Sequence, residues 1–345
     1  MNVLGLYDGI SAGQEALNRL GINYDKYYAS EIDKYAIKVT QNNYPNTIQL
    51  GDIYNINYNE LPKIDLILGG SPCTHWSIAK KDRETTCDGI GFDLFMQYVK
   101  AVEKCKPKYF LYENNYSIHK DIKNAISEKL GVKPIMINSA LVSGQQRKRE
   151  YWTNIPNVTQ PKDAGIFLKD ILESGITEKN KSFCVDASYY KGGNLKMHIE
   201  KSKRTQIFES VIYNRYNQSI SKDKSFTIGT NPQCLTAKTG QAVVTPVRIG
   251  QIGKGGQGDR IYSVQGKSVC LSANGGGRGA KTGLYKIDLP DGDYTIRKLT
   301  PIECERLQTF PDNYTAGISN TQRYKCLGNS WTVDIIAYIL KNMEV

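Results

Sequence analysis

The chain has 345 residues, 40% hydrophobic and 23% charged, with a formal net charge of +11. That is the composition of an ordinary globular protein with room for one large and one smaller domain. No run of about 18 apolar residues occurs, which excludes a helical membrane span, and the first residues read as a strand, not a signal peptide. Eight scattered cysteines with no Cys-x-x-Cys pair argue for reduced thiols in a cytoplasmic protein. With only His75, His119 and His198, no zinc-ligand set can be assembled and histidine base candidates are few.

Alternating short apolar runs and helical patterns fill residues 1–155. They predict strands near 2–7, 24–29, 48–50, 64–69, 108–113 and 133–139, and helices near 12–20, 33–43, 92–105 and 118–130. A further strand is read at Tyr151-Trp152-Thr153-Asn154. Strands alternating with helices define an α/β fold with a doubly wound, mostly parallel sheet.

Three strand ends carry candidate chemistry. Tyr7-Asp8-Gly9-Ile10-Ser11-Ala12-Gly13 follows the first strand and opens the first helix, where glycine lets a backbone approach a ligand and free N–H groups are available. Glu31, followed by Ile32, ends the second strand at about the spacing from the first loop that suits a carboxylate on a ribose diol. Gly51-Asp52-Ile53 follows the third strand and is placed to meet an adenine edge. The first loop is not the full G-x-G-x-x-G fingerprint, which points to a cofactor with adenosine but no diphosphate. S-adenosylmethionine meets that description; a nicotinamide dinucleotide does not.

Ile64 to Gly70 reads as a buried strand ending in Ser71-Pro72-Cys73-Thr74. Proline fixes the backbone just before the thiol, which then sits where open α/β sheets hold ligands. Tyr109-Phe110-Leu111-Tyr112 is expected to deliver Glu113-Asn114 in the same way, pairing a nucleophile with an acid. Arg147 and Arg149, two apart on a strand, should share a face. The polar stretch from Thr74 to Gly91 reads as a closing loop. In it His75 is a weak base candidate and Ser77 a polar residue close to the thiol in sequence.

Residues 181–295 have another texture. They hold 17 Lys/Arg against 8 Asp/Glu, and 11 of the 36 residues from Arg248 to Gly283 are glycine. The rest of the chain is nearly neutral, so this third reads as a polyanion-binding region of irregular, turn-rich β structure. Cys234–Gly240 and Cys270–Gly283 resemble each other as a weak repeat. From Arg297 helical texture returns. Thr300-Pro301-Ile302-Glu303 forms a capping box with proline at the first helical position, starting a helix through Leu307. Ser330 and Thr332 are candidate caps for a last helix from Val333 to Met343.

In order, Tyr7-Asp8-Gly9, Glu31, Gly51-Asp52-Ile53, Ser71-Pro72-Cys73, Glu113-Asn114, Gln145-x-Arg147-x-Arg149, Arg297-x-Leu299-Thr300-x-x-Glu303-x-x-Arg306-Leu307-Gln308-x-Phe310-Pro311 and Gly328-Asn329-Ser330 resemble the cytosine carbon-5 DNA methyltransferase family from end to end. The resemblance implies a Rossmann-like S-adenosylmethionine-dependent catalytic domain, residues 1–175 with 296–345, and a smaller β-rich target-recognition lobe, residues 176–295. It implies catalysis by Cys73, Glu113, Arg147 and Arg149. Cofactor contacts are expected from Tyr7, Asp8, Gly9, Ile10, Gly13, Glu31, Ile32, Asp52, Ile53, Pro72, Asn329 and Ser330. No metal is expected.

The expected reaction is methylation of a cytosine flipped out of double-stranded DNA, by a monomer with or without a companion restriction endonuclease. Cys73 would add to carbon 6 of the base, Glu113 would hold a proton for ring nitrogen 3, and Arg149 would steady Glu113. Two departures stand out: Asn115 after Glu-Asn, where valine is usual, and Gly5-Leu6-Tyr7 in the first strand. The alternatives are an RNA cytosine methyltransferase of the same design and a DNA-binding protein without catalysis.

Overall fold

The computed structural model describes residues 1–72, 75–76, 82–191, 204–210, 212–214, 219–221, 248–251, 260–262 and 294–344. By contacts the chain divides into two units. One comprises Met1–Ile171, Cys184–Tyr190 and Pro301–Val345; the other Leu172–Phe183 and Lys191–Thr300.

The first unit is built on β1 (Asn2–Leu6), α1 (Ala12–Arg19), β2 (Lys26–Ser30), α2 (Lys34–Asn43), β3 (Ile48–Gln49), β4 (Leu66–Gly69), α3 (Ile90–Cys105), β5 (Tyr109–Asn115), α4 (Lys120–Leu130), β6 (Ile135–Asn138) and β7 (Lys148–Thr153). The strands form a seven-stranded sheet in the order β3-β2-β1-β4-β5-β7-β6. All neighbours from β3 to β5 are parallel, and β7 alone runs against its neighbours β5 and β6. The expected mostly parallel, doubly wound α/β sheet is the one found. Order reverses between β1 and β4, so their adjacent carboxyl ends open the crevice in which such sheets hold ligands.

Alternation along the strands assigns each face. Leu4, Leu6, Ile67, Phe110, Tyr112 and Trp152 share one core with Phe95 and Tyr98 of α3 and Ile122 and Ile126 of α4. Tyr112 is its centre, with ring centroids 5.1 Å from Phe95, 4.9 Å from Tyr98 and 5.8 Å from Trp152. On the opposite face lies α1. At Gly13 an added Cβ would stand 2.6 Å from Leu68 Cδ1, so glycine there lets the helix lie close against β4.

The first unit ends in α5 (Pro301–Leu307), α6 (Asn320–Asn329) and α7 (Val333–Leu340), the last packed against α1. Pro301 opens α5 as expected. The Thr300 hydroxyl is turned to the Glu173 carboxylate. Helix α6 has no counterpart among the predicted elements. Thr332 stands at the N-cap of α7 without capping it; its hydroxyl donates to Gln308 Oε1 at 2.9 Å and meets Ser139 Oγ at 2.8 Å. The helix stops at Leu340, short of Met343.

In the second unit β8 (Gln206–Ser210) pairs antiparallel with β13 (Tyr294–Lys298), β9 (Ile212–Asn214) with β10 (Ser219–Ser221), and β11 (Arg248–Gln251) with β12 (Arg260–Tyr262). Arg297 is thus a strand residue, donating through Nε to Glu209 Oε1 at 2.8 Å and through Nη2 to the Ser174 carbonyl at 2.6 Å. The repeat segments Cys234–Gly240 and Cys270–Gly283 lie outside the described residues, as do Cys73 and Ser77.

Candidate active site

Glu113 lies inside β5, not beyond its end. The strand continues to Asn115, with Glu113 opposite Tyr151 and Asn115 opposite Arg149 of β7. Residues 113 and 149 are therefore diagonal partners on one face, a separation that long side chains span. Arg149 Nε reaches Glu113 Oε1 at 2.9 Å, and the Trp331 indole N–H donates to Glu113 Oε2 at 2.8 Å. The carboxylate is nearly buried, at 8% exposure.

Asn114 points to the other face and ties this strand to the turn after β4. Its side-chain amide donates to the Ser71 carbonyl at 3.3 Å, while Ser71 Oγ meets Tyr112 Oη at 2.6 Å. Ser71 and the exposed Pro72 are thereby fixed beside Glu113. Cys73, the expected nucleophile, lies outside the described residues. His75 is engaged elsewhere: its Nδ1 lies 3.0 Å from Glu84 Oε1, and Glu84 Oε2 accepts from the Gly91 N–H at 3.0 Å.

Arg147 precedes β7 and is a buried strut. Its guanidinium donates to the carbonyls of Val185 (3.0 Å), Gly328 (3.2 Å) and Ser330 (2.7 Å), and to Cys184 Sγ at 3.2 Å. Arg149 Nη2 also reaches Cys184 Sγ, at 4.0 Å, so both guanidiniums share a face. Burial pushes the Cys184 thiol up, but the two cations outweigh it and hold the group below the ordinary thiol range. Trp331 and Cys184 were not among the sequence candidates. Trp331 adjoins the Gly328-Asn329-Ser330 motif, a signal that pointed to its neighbourhood; Cys184 had none.

On the cofactor side, β1 runs into a loop of left-handed residues, with φ 55° at Tyr7, 60° at Gly9 and 57° at Ser11. Glu31 organises it: Oε2 accepts from the Gly9 N–H at 2.8 Å, and Oε1 from the N–H groups of Ile32 and Asp33, each at 2.8 Å. Ile32 beside it is 74% exposed, an uncommon position for a large apolar side chain. Asp52 is exposed and caps a short turn, accepting from Tyr54 N–H at 3.1 Å. The half-buried Tyr7 donates its hydroxyl to the Leu94 carbonyl at 2.7 Å. Asn329 is exposed and Ser330 buried.

Four expected cofactor residues turn inward and shape the crevice instead of presenting a side chain to it. Ile10 and Ile53 are buried core residues, at 1% and 4% exposure. Gly13 faces Leu68. The Asp8 carboxylate is held by the hydroxyls of Ser11 and Tyr27, the latter at 2.7 Å. An added Cβ at Gly5 would stand 2.2 Å from Asp8 Oδ1, which explains glycine in the middle of β1. Burial, offset in part by those two hydroxyls, pushes Asp8 up to about 6.

The chain thus has a doubly wound α/β sheet in which an acid on β5 is clamped between a guanidinium and an indole. The model of the C-5 cytosine-specific DNA methylases matches residues 1–345, and the chain belongs to that family. It is a DNA cytosine carbon-5 methyltransferase. It is 30% identical to the type II methyltransferase M.HhaI of Haemophilus parahaemolyticus over 99% of this chain and 94% of the relative. It is 27% identical to the orphan methyltransferase M.SPRI of Bacillus phage SPR, over 99% and 97%. Among solved structures, the Entamoeba histolytica methyltransferase EhMeth shares the fold with a TM-score of 0.60 at 14% identity, covering 99% of this chain and 97% of that one. A DNMT2 of Spodoptera frugiperda gives 0.57 at 19%, covering 99% and 98%. Among the described residues no helix is long and apolar enough to cross a membrane, and no cluster of potential metal ligands occurs.

Proposed function

We propose that this chain methylates carbon 5 of a cytosine flipped out of duplex DNA, through a transient bond between Cys73 and carbon 6. The observation that carries this reading is Glu113 held between Arg149 and Trp331 beside the Ser71-Pro72 turn. Carbon 5 of cytosine is a poor nucleophile until a thiolate adds to carbon 6. The carbon–sulfur bond forms and the ring's electrons shift toward carbon 5 and nitrogen 3. Glu113 gives its proton to nitrogen 3, and its carboxylate is then met by donors already in place. After carbon 5 is alkylated, nitrogen 3 returns its proton to Glu113, water removes the carbon-5 proton, that C–H electron pair becomes the 5,6 double bond, and the carbon–sulfur pair leaves with Cys73. Arg149 steadies Glu113, and Arg147 holds the backbone around it.

The residues at the ends of β1, β2 and β3 fit S-adenosylmethionine. Glu31 keeps one lone-pair direction, on Oε2, for a ribose hydroxyl, Ile32 offers an apolar plate and Asp52 an exposed acceptor for an adenine amine, while Tyr7 and Gly9 border the space for the amino-acid part. When bound there, this cofactor supplies the electrophilic methyl group. Residues 176–295 are read as the lobe that recognises the target sequence, and their positive charge favours the DNA backbone. The bacterial and phage relatives favour a cytoplasmic setting, and the phage relatives named as orphans favour action without a companion endonuclease.

Bisulfite sequencing of DNA from a methylation-free host expressing the chain tests the reading. Protected cytosines should fall within one recurrent sequence, and Cys73→Ala should abolish protection while duplex binding survives. Duplex carrying 5-fluorocytosine at that sequence should form a covalent adduct visible by mass spectrometry. Methylation by Cys73→Ala, or no adduct on a confirmed target, would overturn the covalent route.

A further inference from the structure

Trp331 stands one residue beyond the Gly328-Asn329-Ser330 motif at the end of α6, half-buried, and 218 positions from the acid it touches. Indole has one donor and no acceptor, so the 2.8 Å contact has one sense: Nε1–H gives and Glu113 Oε2 receives. Arg149 takes the other oxygen. The terminal torsion of a glutamate is broad and nearly two-fold, so one donor alone leaves the carboxylate plane free to turn. A hydrogen bond on one oxygen and an ion pair on the other fix it. The anchor of Trp331 is itself fixed, because Arg147 binds the carbonyls of Gly328 and Ser330 just ahead of it.

We propose that Trp331 is a positioning residue for this acid: its indole N–H and the Arg149 guanidinium together set the carboxylate plane of Glu113 toward the target base. The proposal rests on the reading of Glu113 as the group that meets ring nitrogen 3. Oε2 accepts the indole N–H and keeps a second lone-pair direction, along which the proton passes to the ring, while Oε1 faces the guanidinium. When the O–H bond breaks and the N–H bond forms, the charge left on the carboxylate finds the indole donor and the guanidinium cation already in place. Nothing has to reorganise at that moment.

The test is single-turnover methyl transfer to a target duplex at saturating S-adenosylmethionine, comparing the native chain with Trp331→Phe, Glu113→Ala and the double variant. A hydrogen bond to a charged group is lost in Trp331→Phe, so transfer should slow about 10- to 100-fold. Dissociation constants for duplex and cofactor should stay within about twofold. In the Glu113→Ala background the same change should cost no more than about twofold, because no carboxylate remains to be positioned. An analogue at 331 with sulfur in place of the indole N–H keeps the ring and removes only the donor, so it serves where phenylalanine impairs folding. Native rates in both, a loss that resides in cofactor affinity, or an equal loss without Glu113 would each overturn the proposal. Glu113→Ala at the native rate would instead sink the assignment of the acid itself, whatever Trp331 does.

Discussion

A Cβ added at Gly70 would stand 2.7 Å from the backbone oxygen of Glu113 and 3.2 Å from its Oε2. The residue that leads into Ser71-Pro72 and the acid on the neighbouring strand are therefore packed backbone to backbone. Gly70→Ala must push β4 and β5 apart at the catalytic edge, since the contact is with backbone and not with a side chain that can swing away. A misplacement of about 1 Å at a reacting centre costs on the order of 10²-fold in rate. Steady-state assays should show kcat reduced by about that factor with the core intact by circular dichroism. Full activity would mean that the two strands need not be this close.

The two partners of the ion pair separate by chemistry. Glu113→Gln keeps the shape and removes the proton donor, for which about 10²- to 10⁴-fold loss in kcat is expected. Arg149→Lys keeps charge but lacks the planar guanidinium that pairs with Oε1, and a loss of about 10- to 100-fold is expected. Measured kcat in that order, with the glutamine variant slower, supports proton donation as the larger contribution. The reverse order would make the guanidinium the principal group.

Asp8 supplies a pH dependence with a definite sign. Its carboxyl is raised from 3.8 to about 6 by burial, so the folded state binds this proton more tightly than the unfolded chain does. The stabilisation is fully present below about pH 4 and is lost as pH rises through 6. A displacement of that size corresponds to roughly 2–3 kcal/mol. Asp8→Asn keeps an acceptor for Tyr27 and carries no charge to bury. Thermal melts should show it at least as stable as the native chain at pH 7.5, with its relative advantage fading toward pH 4. A variant less stable than the native chain at pH 7.5 and equal to it at pH 4 would reverse the sign.

Much of this architecture was written locally. The apolar runs of β1, β2, β4 and β5 and the helical periods of α1 to α4 fell within a few residues of their predicted bounds, because each combines strong patterning with a glycine, proline or acidic boundary. Helix α6 escaped: in Asn320–Asn329 only Tyr324, Cys326 and Leu327 bury apolar side chains, too few to print a period. The extension of β5 to Asn115 escaped for another reason. Glu113-Asn114-Asn115 has low strand propensity, and pairing with β7 overrides it. Asp8 stood in the expected loop but turned inward, a choice made by Gly5 and Tyr27 and invisible in either alone. The contacts of Glu113 with Trp331, and of the two arginines with Cys184, join segments far apart in the chain, for which one sequence offers no pairing signal.

The end of α6, just before Trp331, yields the last prediction. At Gly328 an added Cβ would meet the Ala187 nitrogen and the Asp186 carbonyl carbon, each at 2.2 Å. Both are backbone atoms of the segment whose neighbour Val185 is bound by Arg147. Gly328→Ala must therefore displace one chain from the other, with an overpacking cost of about 1–3 kcal/mol. Arg147→Lys attacks the same junction from the opposite side: an ammonium cannot span the carbonyls of Val185, Gly328 and Ser330 at once. Ser330 keeps Gln308 Nε2 and Val185 keeps the Cys184 thiol, so the loss falls on the Gly328 carbonyl, at about 1–3 kcal/mol. Urea titrations should place both variants below the native midpoint. Because the two changes disrupt one contact, the double variant should lose less than the two single losses added together. Strict additivity would show that the guanidinium and the glycine support separate parts of the unit, and that Trp331 is held by something other than this junction.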